Sequence, residues 1–310
     1  MIETRPRPDE EQVGAVRRFV RSQKGPRSAY KGFLFVLPIL ILFIVFKFYP
    51  IFRAILLSFT DASPLNNEQH FIGLENYQRL FQDSQFLRSL RITAYYVVGT
   101  VAPLVVLSLL LALLLNQVIR GRGVFRVLIL LPALIPIIVV PILWRFLYHP
   151  YGLMNEVIGF FGMQPISWLT TRAAVIPAFI IATDWRFVPL FSIIYLAGLQ
   201  SIPEQLYDAA RIDGASAIQR FRYITLPLLR PTIVVVIVVA VTLTAKSLVL
   251  ALVMTGGSPD GASRVLSLFI FEQGFRLQRI GYASAASMVL LVIIVMFTII
   301  NLRLFREDEH

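Results

Sequence analysis

The sequence contains no cysteine and only three histidines among its 310 residues. The missing cysteine excludes disulfide frameworks, Cys-based zinc sites and cysteine nucleophiles. Charge is scarce as well: Asp, Glu, Lys and Arg make up 15% of the chain, whereas soluble globular domains average about 25%. Hydrophobic residues reach 57% and the mean hydropathy is +0.73, which excludes a disordered chain and leaves too little polar surface for a soluble domain. The composition therefore predicts an integral membrane protein.

Signatures of common catalytic sites are also missing. No G-x-x-x-x-G-K-[ST] run occurs, so nucleotide binding by a P-loop is excluded, and neither H-E-x-x-H nor G-x-S-x-G is present. The histidines His70, His149 and His310 are scattered, and no metal site is predicted. The net charge is +11, but the basic residues lie mostly between long apolar runs. A nucleic-acid partner is therefore not expected, because it would need a basic face on a soluble domain.

Six apolar stretches are long enough to cross a membrane, which takes about 20 mostly apolar residues. They cover residues 33–59, 92–116, 127–146, 173–199, 232–254 and 280–302. Strands of a membrane barrel would alternate with period two, whereas these stretches are apolar on all sides, so they are predicted to be helices. The predicted fold class is all-α, a polytopic membrane protein with six transmembrane helices.

The termini and the basic residues predict the domains and their orientation. A polar segment, residues 1–32, precedes the membrane domain, residues 33–304, and a short tail, residues 305–310, follows it. The first apolar run is too long for a signal-peptide core, so it is expected to be retained. With six spans, the side that holds both termini carries 17 of the 29 Lys and Arg residues and the other side carries eight. Both termini are therefore predicted to be cytoplasmic.

The longest cytoplasmic loop between spans, residues 200–231, shows local signals for two short helices. Ser201 and Glu204 have the spacing of a capping box, and Pro203 is suited to the first turn of a helix. Gly214 is suited to a left-handed cap at the end of that helix. These signals predict a first helix from about Ser201 to Gly214.

A second capping box, Ser216 and Gln219, predicts the start of the next helix, and Pro227 is predicted to end it near Leu226. Small residues on the first helix would let another backbone approach closely. Such a bracket between spans four and five could transmit force from a soluble partner. A solvated interfacial loop would account for the same residues, and the local pattern does not separate the two interpretations.

The loop resembles the EAA loop of permease subunits in binding-protein-dependent ABC importers. The family pattern is E-A-A, then three residues, then Gly, with a later I-x-L-P. This chain has Asp208-Ala209-Ala210, Gly214 and Ile224-Thr225-Leu226-Pro227. Asp208 replaces the usual Glu and keeps the carboxylate.

Motifs elsewhere in the chain also resemble this family, over about residues 33–305. They are Tyr49-Pro50-Ile51, the run Phe71-Ile72-Gly73-Leu74-Glu75-Asn76-Tyr77, Ala197-Gly198-Leu199, Thr255-Gly256-Gly257-Ser258-Pro259 and Gly281-Tyr282-Ala283-Ser284-Ala285. In the fourth of these, Ser258 stands where the family has Gly. The resemblance is closest to the maltose-permease-like group of carbohydrate importers.

The resemblance implies a type I ABC importer permease fold and a division of labour between subunits. The 200–231 loop would be the coupling helix seated in a groove of the ATPase subunit. The residues carried over for coupling are Glu204, Asp208, Ala209, Ala210, Asp213 and Gly214. No cofactor is expected in this chain, because ATP and magnesium would bind the partner ATPase. The implied partners are a second homologous permease, two ATPase subunits, an extracytoplasmic solute-binding protein and membrane lipid, in the plasma membrane of a prokaryote.

Ionisable residues inside predicted spans are candidate site residues, because each costs about 2.5–3.5 kcal/mol at mid-helix and so usually faces protein or water. Asp184 and Arg186 lie in the middle of span four, and Lys246 lies in span five. One interpretation is a polar path for the solute, whose candidate residues are Trp185, Thr242, Thr244 and Lys246. The other is structural: Asp184 pairs with Arg186 or with Lys246 and holds the two spans together.

The sequence thus predicts a permease subunit of an ATP-driven importer for a sugar, an oligosaccharide or a related polyol-phosphate solute. It would form half of the translocation path and would not itself be an enzyme. Two alternatives fit the same sequence. A secondary carrier or channel would show inverted repeats with interrupted helices in both halves, and an intramembrane enzyme acting on lipid-linked sugar would use Asp184 and Lys246.

Overall fold

The computed structural model describes residues 26–65, 68–117 and 122–306. Most of the predicted segment 1–32 and of the tail 305–310 therefore lies outside the described residues. Every regular element in the described ranges is a helix, apart from one isolated bridge between Thr60 and Phe71, which confirms the all-α prediction. The chain divides into two units, Met1–Leu56 and Leu57–His310, which are described in turn.

The first unit contains helix α1, Pro26–Phe43, a five-residue π-helical segment, Ile44–Phe48, and the greater part of helix α2, Tyr49–Ser58. The π-helical segment ends two residues before Pro50, which has no N–H group and whose ring clashes with the carbonyl four residues back in a regular helix. The N–H of Tyr49 bonds instead to the carbonyl of Ile44, five residues back. The wider turn therefore lets the helix continue through the proline.

The second unit contains thirteen helices within the described residues. They are α3 Glu75–Gln82, α4 Ser84–Asn116, α5 Arg122–Leu134, α6 Val139–Leu147, α7 Leu153–Phe160, α8 Val175–Gln200, α9 Glu204–Ile212, α10 Ala217–Arg220, α11 Leu226–Leu228, α12 Arg230–Ala245, α13 Leu248–Met254, α14 Leu266–Phe271 and α15 Ile280–Arg306. Two more π-helical segments, Phe221–Thr225 and Glu272–Arg276, follow α10 and α14.

Four stretches of helix are long and apolar enough to cross a membrane, and two bent helix pairs bring the number to six if each pair counts as one span. The four are Phe33–Ser58, α4, α8 and the part of α15 up to Arg303, which match predicted spans one, two, four and six. Helix α4 has 33 residues and is therefore about 50 Å long. Since the hydrocarbon core is about 30 Å thick, the charged first turns of α4 extend beyond it.

The third predicted span, residues 127–146, is not one continuous helix. The stretches Val127–Leu134 and Val139–Leu147 meet at 105°, and Pro136 lies in the break between them. A proline removes a backbone donor and disfavours a helical conformation in the residue before it. The apolar run is long enough for a span only if the two bent helices count together, and the prediction of one helix over residues 127–146 is wrong.

The fifth predicted span, residues 232–254, is also divided. Helix α12 ends at Ala245 and α13 begins at Leu248, so Lys246 and Ser247 lie in a break. The N–H of Leu248 bonds to the carbonyl of Lys246, only two residues back, at 2.8 Å. Irregular backbone at membrane depth is tolerated where it is buried in protein or lines a water-filled cavity. The break therefore marks this point as a candidate site.

The core of the second unit is built on the pairing of α4 with α8. Near one end of this pair, Tyr96 and Phe179 are fully buried with their ring centres 6.0 Å apart. Near the other end, Phe191 and Tyr195 pack with Leu229, which follows α11. A third cluster, formed by residues of α3, α4, α12, α14 and α15, contains Leu80, Phe86, Leu266, Phe269 and Ala285.

Two of the family-like motifs have structural roles in this unit. The buried Asn76 donates hydrogen bonds from Nδ2 to the carbonyls of Ser58 and Thr60, at 2.9 and 2.8 Å. This holds residues 58–60 of the second unit against α3. At Gly281 an added Cβ would collide with the carbonyl of Thr60, so the close approach of the two backbones requires glycine.

Candidate functional site

The loop between α8 and α12 contains helix α9, the turn at Gly214 and a second arm, residues 217–228, which consists of α10, a π-helical segment and α11. Helix α9 ends at Ile212, and Gly214 turns the chain with a φ of +78°, which confirms the predicted left-handed cap. No atom lies within 4 Å of a Cβ added at Gly214. Glycine is therefore required for the backbone conformation and not for space.

Of the two predicted capping boxes, one forms and one does not. Ser216 caps α10 in a full capping box with Gln219, as predicted. The box predicted for Ser201 and Glu204 is wrong, because the Ser201 hydroxyl donates to the carbonyl of Gly198 at 2.7 Å and closes the end of α8. The residue before α9 is Pro203, which makes no side-chain cap.

The predicted stop at Pro227 is also wrong. The second helix passes through a π-helical segment, Phe221–Thr225, and continues as α11 to Leu228. The wider turn accommodates the missing N–H of Pro227, as it does for Pro50. The chain then bends by 64° into α12. The second arm of the loop is therefore longer than predicted and runs directly into the fifth span.

The six residues carried over for coupling lie on the outer part of this loop. Glu204, Asp208, Ala209, Asp213 and Gly214 are exposed, and Ala210 is half-buried. Helix α9 buries none of its residues. An ion pair between Asp208 and Arg211, at 3.0 Å, lies within the helix. The loop thus offers an open face with small residues and carboxylates that nothing in the described chain covers.

The opposite side of the loop is fixed to the body of the protein. Ile202 is buried in the core cluster with Phe191. The Tyr207 hydroxyl lies 2.9 Å from the hydroxyl of the buried Thr225, which ties α9 to the second arm. Arg220 donates to the carbonyl of Ala215 at 2.7 Å. A displacement of the loop would therefore be passed to α8 and α12.

Two isoleucines in this loop were not singled out from the sequence. Ile212 and Ile218 flank the turn at Gly214 and are 87% and 78% exposed. Nothing in the described part of the chain covers these two apolar side chains, so they are candidates for contact with a partner. In the sequence they can be recognised as the two isolated isoleucines of residues 208–220, a stretch that otherwise contains only polar or small residues.

The break in the fifth span lines a cavity of about 160 Å³ between α6, α8 and the α12–α13 break. Its polar lining consists of Thr183, Arg186, Lys246 and Ser247. Arg186 comes from α8 and Lys246 from the break, so the fold brings together two cations that are 60 positions apart in the sequence. Lys246 is a predicted path residue, and Arg186 was predicted in a different role.

The other predicted path residues are not among those that line this cavity. The Trp185 ring packs edge-on against Trp144, with ring centres 5.7 Å apart, at the edge of a core cluster. The Thr242 hydroxyl donates to the carbonyl of Val238, one turn back in the same helix. Thr244 is only 2% exposed. Hydropathy locates a span but does not show which face of it meets the cavity.

The ion pair considered for Asp184 does not form within the described part of the chain. Asp184 is buried, and its Oδ1 atom has no hydrogen-bond partner there. Residues two positions apart on a helix are about 200° apart around its axis. Asp184 and Arg186 therefore project from nearly opposite sides of α8. The spacing itself therefore works against the pair.

A hydroxyl cluster at the cavity was missed by the sequence reasoning. The fully buried Tyr96 of α4 has its hydroxyl 2.6 Å from that of Thr183 and 3.5 Å from that of Ser247. Thr183 and Ser247 both line the cavity. The cluster links three spans at the helix break. Nothing in the charge-free sequence of span two indicates that Tyr96 would face this point.

Comparison with known proteins gives a consistent result. Residues 104–306 match the family described as binding-protein-dependent transport system inner membrane component. The trehalose/maltose transport system permease protein MalF of Thermococcus litoralis is 36% identical over 285 residues, which is 91% of this chain and 96% of that protein. The multiple sugar-binding transport system permease protein MsmF of Streptococcus mutans is 32% identical, over 91% of this chain and 97% of that one.

Solved structures agree with the sequence relatives. A chain of a bacterial alginate ABC transporter, solved in complex with an alginate pentasaccharide-bound periplasmic protein, matches with a TM-score of 0.78. It is 25% identical, and the match covers 93% of this chain and 98% of that one. The likeness therefore extends over nearly the whole fold.

Proposed function

This chain belongs to the inner membrane components of binding-protein-dependent transport systems, and we propose that it carries a sugar or an oligosaccharide across the membrane as one of two permeases in an ATP-driven importer. It is an ABC importer permease of the type I fold, a transport subunit and not an enzyme. The relatives that transport sugars support the carbohydrate class. Neither a secondary carrier nor an enzyme acting on lipid-linked sugar receives support.

The observation that carries the coupling role is the open two-helix loop fixed at its base to α8 and α12. Its outer face holds the six predicted residues, among them Asp208 and Gly214, and the exposed Ile212 and Ile218. We propose that this face docks on the ATPase subunit, with the isoleucines as apolar contacts. The interactions of Ile202 and Tyr207 would pass movement of the ATPase to the spans.

The path for the solute is proposed to run along the cavity at the break in span five. Lys246 and Arg186 would meet the solute there, together with the hydroxyl groups of Thr183 and Ser247. Trp185, Thr242 and Thr244 would support the walls of the path or meet the solute in another conformation of the transporter. The cavity is formed by this chain alone, so it would be half of a path completed by the second permease.

The partners and the location follow from the same proposal. The protein is a multi-pass membrane protein that works with a solute-binding protein. A second homologous permease and two ATPase subunits, which would bind ATP and magnesium, complete the proposed assembly in the plasma membrane of a prokaryote. In that assembly the N-terminal segment 1–32, the 200–231 loop and the tail 305–310 would be cytoplasmic, flanking the membrane domain 33–304.

Purification of the tagged chain from its native membrane tests this function. A second six-span protein and an ATPase pair should co-purify, and the reconstituted complex should take up sugar only with ATP and the binding protein. The variant Gly214→Asp should insert in the membrane and lose the ATPase. Gly162→Asp is a matched control, because Gly162 also has a positive φ, +74°, and no atom within 4 Å of an added Cβ. A Gly214→Asp complex that kept the ATPase and transport would refute the coupling role.

A further inference from the structure

The cavity at the helix break presents only positive charge. Arg186 and Lys246 line it from two different spans, and none of its lining residues is a carboxylate. The other polar side chains are the hydroxyls of Thr183 and Ser247. Lys and Arg side chains are donors without acceptor capacity, and hydroxyls can also donate. The cavity is therefore suited to a ligand group that accepts hydrogen bonds and carries negative charge.

Neither cation has an acidic partner within 4.0 Å in the part of the chain that the structure describes. Arg186 does lie 5.4 Å from the ring centre of Phe187, but that ring carries no charge. Asp184, the acid nearest in sequence, is buried on the other side of α8. By contrast, several arginines outside the spans do pair with acids, namely Arg79, Arg172, Arg211, Arg264 and Arg276.

Two unpaired cations in the middle of a membrane protein call for a counter-charge. Each costs about 2.5–3.5 kcal/mol at the centre of a span on insertion scales. Arg186 is half-buried, and Lys246 lines the cavity but is exposed in this chain alone. Charges that are removed from water are normally paired or bind a ligand of opposite sign, and pores that select anions use Arg and Lys in this way. No carboxylate among the described residues lines this cavity, so a counter-charge would have to come from a bound ligand or from another subunit.

We propose that the transported carbohydrate is acidic, and that Arg186 and Lys246 bind its carboxylate or phosphate group as it passes the helix break. The proposal rests on the transport function stated above and specifies the solute class of the same site. A uronate and a sugar phosphate share the relevant chemistry, an anionic group with at least two acceptor oxygens. Arg186 offers a planar fork of donors for such a group, and Lys246 adds a point charge on a flexible stem.

Equilibrium binding to the assembled transporter in nanodiscs tests the proposal. The probes are digalacturonate, trehalose 6-phosphate and, as the neutral comparison, trehalose. At least one acidic probe should bind about 10- to 100-fold more tightly than trehalose, as expected for hydrogen bonds to a charged group. Stronger binding of digalacturonate would identify a carboxylate ligand, and stronger binding of trehalose 6-phosphate would identify a phosphate.

The variants Arg186→Gln and Lys246→Gln should lose this preference, and Lys246→Arg should keep most of it. Arg145→Gln is the matched control, because Arg145 is an exposed arginine of α6 that does not line the cavity. Unchanged binding of trehalose in the two Gln variants would show that the cavity remains intact.

Three results would overturn the proposal. The first is that neither acidic probe binds more tightly than trehalose. The second is that the Gln variants weaken acidic and neutral probes equally. The third is that they release the second permease without changing the preference, because the counter-charge would then belong to that subunit. Failure of the transport function itself would be seen separately: the wild-type chain would not co-purify with an ATPase, and the complex would show no ATP-driven uptake.

Discussion

Gly198 lies where α8 meets the first turn of α12, at the base of the loop, and its replacement by alanine gives a direct test of this packing. A Cβ at this position would lie 2.5 Å from Thr232 Oγ1, 3.1 Å from Thr232 Cγ2 and 2.9 Å from Leu229 Cδ2. These distances are well inside van der Waals contact, so the side chains of Thr232 and Leu229 must shift or α8 and α12 must move apart. The family-like motif Ala197-Gly198-Leu199 thus has a physical reason for its glycine.

The expected size of the effect follows from two opposing contributions. Overpacking of a tight core contact costs about 1–3 kcal/mol, whereas replacing glycine by alanine within a helix gains about 1 kcal/mol. Gly198→Ala should therefore lower the free energy of unfolding by about 0–2 kcal/mol, with the larger values if Thr232 cannot rotate away. Gly159→Ala is the matched control, since no atom lies within 4 Å of its added Cβ.

A double-mutant cycle separates the collision from the gain in helix propensity. Thr232→Ala removes both threonine atoms that Gly198→Ala would strike, so the double variant should be more stable than the sum of the single effects by about 1–3 kcal/mol. Unfolding in mixed micelles, titrated with a denaturing detergent, measures each free energy. A Gly198→Ala variant as stabilised as Gly159→Ala, or a coupling energy of zero, would refute the close approach of α8 and α12.

Three further predictions concern single contacts. Asn76→Asp keeps the shape of the side chain but removes its two N–H donors, so it should destabilise the protein by about 2 kcal/mol in the same unfolding assay. Tyr96→Phe removes the hydroxyl that contacts Thr183 and should cost about 1 kcal/mol without changing the yield of inserted protein. Gly281→Ala places a Cβ against the carbonyl of Thr60 and should lower the yield of folded protein, measured by size-exclusion chromatography. Wild-type stability in the first two variants, or a wild-type yield in the third, would contradict the contacts concerned.

Much of the fold could be predicted from hydropathy, because a lipid environment allows few alternatives for a long apolar run. Where prediction failed, proline was often involved. Pro136 lies in a break that divides a predicted span, while Pro227 does not end its helix. A proline removes one donor in each case, but the chain can respond by bending, breaking or widening into a π-helical segment. Which of these occurs depends on the tertiary packing of the neighbouring turns.

The candidate site could be predicted only in part, for geometric reasons. Gly214 and Ser216 act through bonds within a few residues, so local sequence was sufficient. The cavity depends on which sides of α8 and the break at Lys246 face each other, and one sequence does not give these rotations. Helical spacing alone argues against the pair Asp184 and Arg186, because it places the two side chains on nearly opposite sides of the helix.

The π-helical segment Phe221–Thr225 gives the second arm of the loop one residue more than a regular helix with the same number of turns would need. Each residue of a regular helix turns the chain by about 100°, and a π-helical segment holds one residue more than the α-helical turn it replaces. A one-residue deletion there would let the backbone relax to a regular α-helical turn, and because only the extra residue is removed, the chain before it would keep roughly its present direction relative to α12. The wider turn that accommodates Pro227 would be lost, however, and the proline ring would clash with the carbonyl four residues back. In this arm the extra residue and the proline are therefore constrained together, and a single-codon deletion should be harmful through this clash and not through a change in the direction of the loop's outer face.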